Sequence, residues 1–199
     1  MDTGSGPYVP LFVSVFNEQV MDVSVNKKPG NEGFTLIELM LVVAIIGIIA
    51  AIAVPGLIRA RMSGNEASAI GSMRAIHNSE VTYAQACGGG GYATTLDDLA
   101  TPPTSGGSPF ITPDLAANGV VKAGYTIEIA PGVAAFNVLA GGSTCNGTTS
   151  QSTYHATGTP ATLGQTGTRA FATNNSGTVF QNFTGVQIPG SLAGAQVLQ

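Results

Sequence analysis

A run of apolar residues long enough to cross a membrane dominates the hydrophobic pattern of this chain. It extends from Phe34 to Ile58, and Glu38 is its only ionisable residue. As a helix, this run would be about 37 Å long, which exceeds the roughly 30 Å of a hydrocarbon core. A carboxylate is costly in lipid, so Glu38 predicts a partner and a specific function.

Beyond Ile58 the pattern becomes amphipathic, with apolar residues at steps of three and four and charged residues between them. The apolar positions are Ile58, Met62, Ala69, Met73, Ile76 and Tyr83, and the charged positions are Arg59, Arg61, Glu66, Arg74 and Glu80. This pattern predicts a single helix over residues 34–86, about 80 Å long. The glycine run after Cys87, residues 88–91, is expected to end it.

The rest of the chain predicts short strands separated by turns. Tyr92 to Leu99 is expected to hold a helical turn, and residues 102–109 a loop. The strand candidates are residues 124–130, 134–140, 152–157, 168–173 and 178–182. A Pro131-Gly132 turn is predicted between the first two, and Asn174 to Gly177 should form a hairpin turn. We therefore expect an α+β fold in which a small antiparallel sheet packs on the amphipathic half of the long helix.

Composition narrows the function classes. Charged residues make up only 9% of the chain and the net charge is −4, so no basic surface for nucleic acid is predicted. Cys87 and Cys145 both follow the membrane-length run, on the side where disulfides persist. A bond between them would close a loop of about 59 residues and stabilise the fold by roughly 4 kcal/mol. Two free buried thiols remain the alternative.

The N-terminal segment resembles that of the type IV pilin and type II secretion pseudopilin superfamily. The matching features are Gly33 followed by Phe34-Thr-Leu-Ile-Glu38, an apolar run reaching Pro55, and two lysines at residues 27–28 ahead of the glycine. The resemblance covers residues 31–86 closely. It implies a pilin-like fold and a prepilin peptidase that cuts between Gly33 and Phe34 and then N-methylates Phe34.

The same resemblance implies roles in filament assembly. Glu38 lies one helical turn from Phe34 on the same face, and its carboxylate would neutralise the Phe34 ammonium of an adjacent subunit. Gly47 and Pro55 are the weak points of the helix, since proline lacks an N–H and clashes with the preceding turn. In the resembling pili the matching interval can lose helical structure on assembly. After residue 86 the resemblance is looser.

The expected organisation has four parts. Residues 1–33 form a leader, with translation hypothesised to begin at Met21. Residues 34–58 form the membrane-spanning half of the helix, and residues 59–87 form its amphipathic half. Residues 88–199 form a β-rich extracytoplasmic domain.

We therefore expect a structural subunit of a type IV pilus, rather than an enzyme, stored as a single-pass precursor in the bacterial inner membrane. Its expected partners are prepilin peptidase, other pilin or pseudopilin subunits, and an inner-membrane assembly platform with its ATPase. No cofactor or metal is expected, because His77 and His155 lack the spacing of zinc ligands. The alternatives are a type II secretion pseudopilin and a secreted binding domain whose signal peptide is cut after Ala53.

Overall fold

A computed structural model describes residues 33–198. Most of the expected leader, including Met21, lies outside the described residues. One long helix, α1, covers Leu36–Ala86, and a short helix, α2, covers Leu96–Ala100. Single 3₁₀ turns occur at Pro113–Leu115 and Gly141–Ser143. The helix predicted over residues 34–86 is thus found with a start two residues later.

The strands form one six-stranded antiparallel sheet and a separate pair. Their bounds are β1 Val120–Lys122, β2 Tyr125–Pro131, β3 Asn137–Leu139, β4 Ser150–Gln151, β5 Tyr154–Pro160, β6 Ala170–Asn174, β7 Val179–Asn182 and β8 Gln196–Val197. The large sheet has the order β1-β2-β5-β6-β7-β8, and β3 pairs with β4. The hairpin predicted at Asn174–Gly177 joins β6 to β7, and Gly177 has the positive φ of +74° that this turn requires.

The sheet packs on one face of the second half of α1. Side chains of this face begin to be buried at Glu66, and α1 and the sheet share one apolar core. Its largest buried side chains include Met73, Ile76, Tyr83, Leu96, Leu99, Leu115, Ile127, Ile129, Tyr154 and Phe171. The expected α+β arrangement, a long helix packed on a small antiparallel sheet, is confirmed.

The glycine run ends α1 by capping its last carbonyl groups. The N–H of Gly90 donates to the carbonyl of Ala84 at 2.9 Å, and the N–H groups of Cys87 and Gly88 both donate to Tyr83. Gly89 and Gly90 take φ values of +62° and +92°, which side chains disfavour. The predicted helix end is therefore confirmed, with a conformational reason for the glycines.

Two expectations are wrong, one about a strand and one about two glutamates of α1. The strand predicted over residues 134–140 is reduced to β3 and does not pair with β2, because β2 takes β5 as its neighbour. Ala134 turns the chain with a φ of +57°, which breaks the extended backbone. Glu66 and Glu80, expected between the core positions of α1, are buried. In both cases a distant strand or loop supplies the contacts.

Candidate processing and assembly site

The start of α1 is a capping box built by Thr35 and Glu38. The carbonyl of Thr35 accepts the first helical hydrogen bond from Leu39, which makes Thr35 the N-cap residue. Its Oγ1 accepts the Glu38 N–H at 3.3 Å, and Glu38 Oε2 accepts the Thr35 N–H at 3.4 Å and its hydroxyl at 3.3 Å. These bonds satisfy backbone donors that have no partner within the helix. The Thr-x-x-Glu spacing was a sequence signal for this cap.

The predicted cleavage point lies just before this cap, outside the helix. Gly33 and Phe34 are not helical, and both are exposed. A Cβ added to Gly33 would meet no atom within 4 Å, so the structure of this chain alone does not require glycine there. A requirement for glycine at this position therefore has to come from a protein that binds the segment.

The first half of α1 presents an unbroken apolar surface. α1 is long and apolar enough to cross a membrane, and none of its most apolar window is buried. Every residue from Leu36 to Arg61 is exposed. Such an extent of bare apolar surface marks a contact with lipid or with other proteins.

Gly47 and Pro55 lie within this surface, and α1 is helical through both. Pro55 removes one backbone donor from the helical ladder, and Gly47 lowers the local helix propensity. The predicted loss of helical structure concerns the assembled state and stays a prediction.

A disulfide ties the end of α1 to the loop before β4. Cys87 and Cys145 are bonded, with their Cα atoms 4.8 Å apart. Next to this bond, the Asn146 side-chain amide donates to the carbonyls of Asp98 at 2.9 Å and Thr101 at 3.2 Å. Three segments therefore meet at one point: the end of α1, the end of α2 and the loop before β4.

Glu66 makes a buried ion pair that joins α1 to the sheet. Its Oε2 accepts from Nε and Nη2 of Arg169 at 2.9 and 2.6 Å, and its Oε1 accepts from the backbone and hydroxyl of Thr168 at 3.0 Å. Burial alone would raise the pKa of Glu66, but the bonds from Thr168 and Arg169 outweigh it and hold the pKa below its ordinary value. The carboxylate is therefore charged in the folded state.

We expect Glu66→Gln to lower the free energy of unfolding by about 2 kcal/mol at neutral pH. A carboxylate whose pKa is lowered by folding contributes stability above its unfolded pKa of about 4.3, and this contribution disappears as the pH falls through the folded pKa. The difference in unfolding free energy between wild type and variant should thus become smaller in acid. Chemical denaturation from pH 7 to pH 3 in detergent measures this difference. Asp114→Asn, which removes an exposed ion pair with Lys122, is the control and should change stability by less than about 0.5 kcal/mol. A difference in unfolding free energy that does not change with pH would contradict a lowered pKa of Glu66 in the folded state.

Glu80 is a second buried carboxyl group, and it has no cationic partner among the described residues. Its Oε2 accepts the N–H of Ala93 at 2.8 Å, which fixes the chain just after the glycine run. Within residues 33–198, Oε1 is buried without a hydrogen-bond partner. Burial raises the pKa of Glu80 well above its ordinary value, the Ala93 bond offsets part of this, and the charge of Asp98 adds to it. Folding therefore favours the protonated form of Glu80 relative to the unfolded chain.

We expect Glu80→Gln to stabilise the fold at and above neutral pH. A carboxyl group whose pKa is raised by folding costs stability progressively as the pH rises from its unfolded value toward its folded value. Glutamine keeps the acceptor for Ala93 and has no charge to bury, so the melting temperature of the variant should exceed that of wild type by more at pH 8 than at pH 5. Thermal unfolding followed by circular dichroism at both values tests this, with Glu128→Gln on β2 as the control. An equal change in melting temperature at pH 5 and pH 8 would refute a raised pKa of Glu80.

The exposed apolar half of α1, its capped start and the sheet packed on its second half form a pilin-like α+β arrangement. The family model described as the prokaryotic N-terminal methylation motif matches residues 28–54. Over 55 residues the chain is 46% identical to the type IV major pilin protein PilA of Myxococcus xanthus (strain DK1622). That alignment covers 28% of this chain and 25% of the relative, so the chain spans about a quarter of the length of the curated relative it matches. No solved structure matches the chain. The resemblance predicted from Gly33, Phe34 and Glu38 is confirmed for the N-terminal segment.

Proposed function

We propose that this chain is the precursor of a type IV pilus subunit, stored in the bacterial inner membrane and assembled into a helical filament after processing. The observation that carries the proposal is one continuous feature of residues 33–58. An exposed, non-helical Gly33-Phe34 bond leads directly into a capped helix whose apolar surface is entirely uncovered. A single span in lipid and a helical core in a filament would each cover that surface.

Processing would exchange a peptide bond for a new amino terminus. Hydrolysis between Gly33 and Phe34 releases the leader carboxylate and leaves Phe34 as a free amine. The peptidase would then transfer a methyl group to this amine from a methyl-donor cosubstrate, with loss of a proton from the amine. Glycine before the bond lets the backbone enter a protease cleft without a Cβ. A Cβ on Gly33 would meet no atom of the described residues within 4 Å, which supports a role for this glycine in recognition by the peptidase.

Assembly would place the Glu38 carboxylate against the Phe34 ammonium of a neighbouring subunit. In an apolar core such a pair fixes the register between subunits, because a shift along the helix would leave both charges unpaired. Gly47 and Pro55 would supply the interval that loosens on packing. The division into a span at residues 34–58, an amphipathic part at residues 59–87 and an outer domain at residues 88–199 is part of this proposal. An assembly platform and its ATPase would supply the driving force.

A type II secretion pseudopilus is the alternative filament, and it would use the same N-terminal features. A secreted binding domain cut after Ala53 is the other alternative. Ala53 lies in the middle of α1, so this cut would remove the Thr35–Glu38 cap and most of the apolar surface. The filament proposal uses both features.

The experiment is mass spectrometry of the N-terminal peptide from membrane and sheared-surface fractions. N-methylated Phe34 in the sheared fraction is the expected result, and a terminus at Val54 would refute the proposal. Processed protein confined to the membrane fraction would favour the pseudopilus. Gly33→Val is the matched variant, and it should accumulate uncut because a branched side chain replaces the hydrogen at the cleavage position.

A further inference from the structure

Three large apolar side chains are exposed on two neighbouring loops of the sheet-bearing part of the chain. They are Leu163, Phe183 and Val186, with exposed fractions of 57%, 60% and 62%. The two loops touch each other, because a Cβ placed on Gly185 would overlap the side chain of Leu163. We refer to Leu163, Phe183 and Val186 as the loop patch. Clustered exposed apolar side chains mark a contact surface more strongly than isolated ones.

The loop patch is held in a fixed position beside α1. The side-chain amide of Asn65 donates to the carbonyl of Thr166 at 2.9 Å, and the Thr168 N–H donates to Glu66 at 3.0 Å. Within the first loop, the Thr166 hydroxyl bonds back to the Thr162 carbonyl at 3.1 Å. The patch is therefore positioned by the start of the buried face of α1.

This position is next to the end of the apolar run. Ile58 and Arg61 of α1 line a surface hollow together with Gly164 and Gln165 of the first loop. Ile58 is the last residue of the expected span, and it precedes Asn65 by seven residues, or about 10 Å of helix. Arg59 and Arg61 are exposed at the same level of the helix.

We propose that the loop patch is a membrane-contact surface that inserts into the headgroup region of the bilayer that holds α1. This inference rests on the proposed membrane-stored precursor. The span ends beside the patch, so a bilayer around residues 34–58 lies within reach of its side chains. Arg59 and Arg61 would bind lipid phosphates, with their stems along the apolar region. Residues 161–187 carry a single charged side chain, Arg169, and it is already paired with Glu66, so insertion would bury no free charge.

The chain contains no tryptophan, which allows a single fluorescent reporter. Phe183→Trp in the full precursor would be reconstituted into phosphatidylethanolamine and phosphatidylglycerol liposomes, with or without brominated acyl chains as quenchers. The matched control is Phe136→Trp, because Phe136 is 67% exposed in an equally uncharged loop. That loop leads into β3, where Leu139 lies against Gly89 just beyond the end of α1. The control thus lies near the opposite end of the packed part of α1.

We expect brominated lipid to quench Phe183→Trp about threefold more than Phe136→Trp, since interfacial apolar side chains are buried about 5–10 Å into the boundary between headgroups and acyl chains. Leu163→Trp on the other loop should be quenched like Phe183→Trp, and it replaces Phe183→Trp as the reporter if that variant does not fold. Equal quenching of Phe183→Trp and Phe136→Trp, in protein that alkaline carbonate does not extract from the liposomes, would overturn the proposal. The fluorescence of Phe183→Trp could instead escape quenching and shift to the blue as the protein-to-lipid ratio rises. That result would assign the loop patch to contact with a second copy of the chain, and it would also overturn the proposal. Release of the chain by alkaline carbonate would overturn the proposed membrane storage itself, together with this inference.

Discussion

Glu38→Ala is expected to leave processing at Gly33 nearly unchanged and to reduce the amount of subunit in sheared filaments at least about tenfold. Removal of one partner from a buried charge pair costs about 3–5 kcal/mol, because the other charge stays in an apolar environment, and each 1.4 kcal/mol is a factor of ten. The charge left behind would be the Phe34 ammonium. Immunoblots of membrane and sheared fractions, with mass spectrometry of the amino terminus, measure both quantities.

The structure adds a second role for Glu38, and the experiment has to separate the two. Glu38 also caps α1 through Thr35, and loss of a cap costs about 1 kcal/mol. Glu38→Gln keeps an acceptor for the cap but removes the charge, whereas Thr35→Val removes the hydroxyl and keeps the charge. We expect the glutamine variant to fail in assembly and the valine variant to assemble. Normal filament yield from Glu38→Ala would refute the assembly role, and failure of Thr35→Val alone would show that the cap is what matters.

The parts of the fold that sequence predicted are those set by local chemistry. The glycines after Cys87 and the Asn174–Gly177 turn impose backbone angles wherever the chain goes next, and both are found as predicted. The short strands β1, β4 and β8 were not predicted. Strands of two or three residues carry too little alternation to be recognised, and they exist because a neighbouring strand offers hydrogen bonds.

The buried carboxylates show why part of the interior was missed. Glu66 and Glu80 continue the three- and four-residue steps of the apolar face of α1, but a carboxylate is expected at an exposed position unless a partner is known. Glu66 is buried because Arg169, 103 residues away, reaches it, and Glu80 because the chain folds back at Ala93. Helical periodicity places both residues on the buried face, but it does not reveal the distant groups that make their burial possible. The motif residues Gly33, Phe34 and Glu38 could be picked out since their signal is contiguous.

The disulfide carries the largest expected effect on stability. We expect the double variant Cys87→Ser, Cys145→Ser to lose about 4 kcal/mol of unfolding free energy, since the cross-link joins residues 58 positions apart and restricts the loop between them in the unfolded chain. The loss should appear as a lower guanidinium midpoint for the detergent-solubilised chain, followed by far-ultraviolet circular dichroism.

A reducing agent gives the matched comparison for this prediction. Dithiothreitol should lower the midpoint of the wild type to near that of the double serine variant and leave the variant unchanged, because only the wild type has a bond to break. The end of α1 should open first, because the disulfide is its covalent link to the loop before β4. The contacts that remain between these two parts of the chain, such as the bond from the Ser150 hydroxyl to the Gly88 carbonyl at 2.9 Å, are hydrogen bonds. Hydrogen exchange at residues 84–92 should therefore rise in the variant more than exchange in β5 and β6, whose ladders do not involve the cysteines. Equal exchange in all these segments, or a wild-type midpoint that does not respond to reduction, would contradict a stabilising bond at this position.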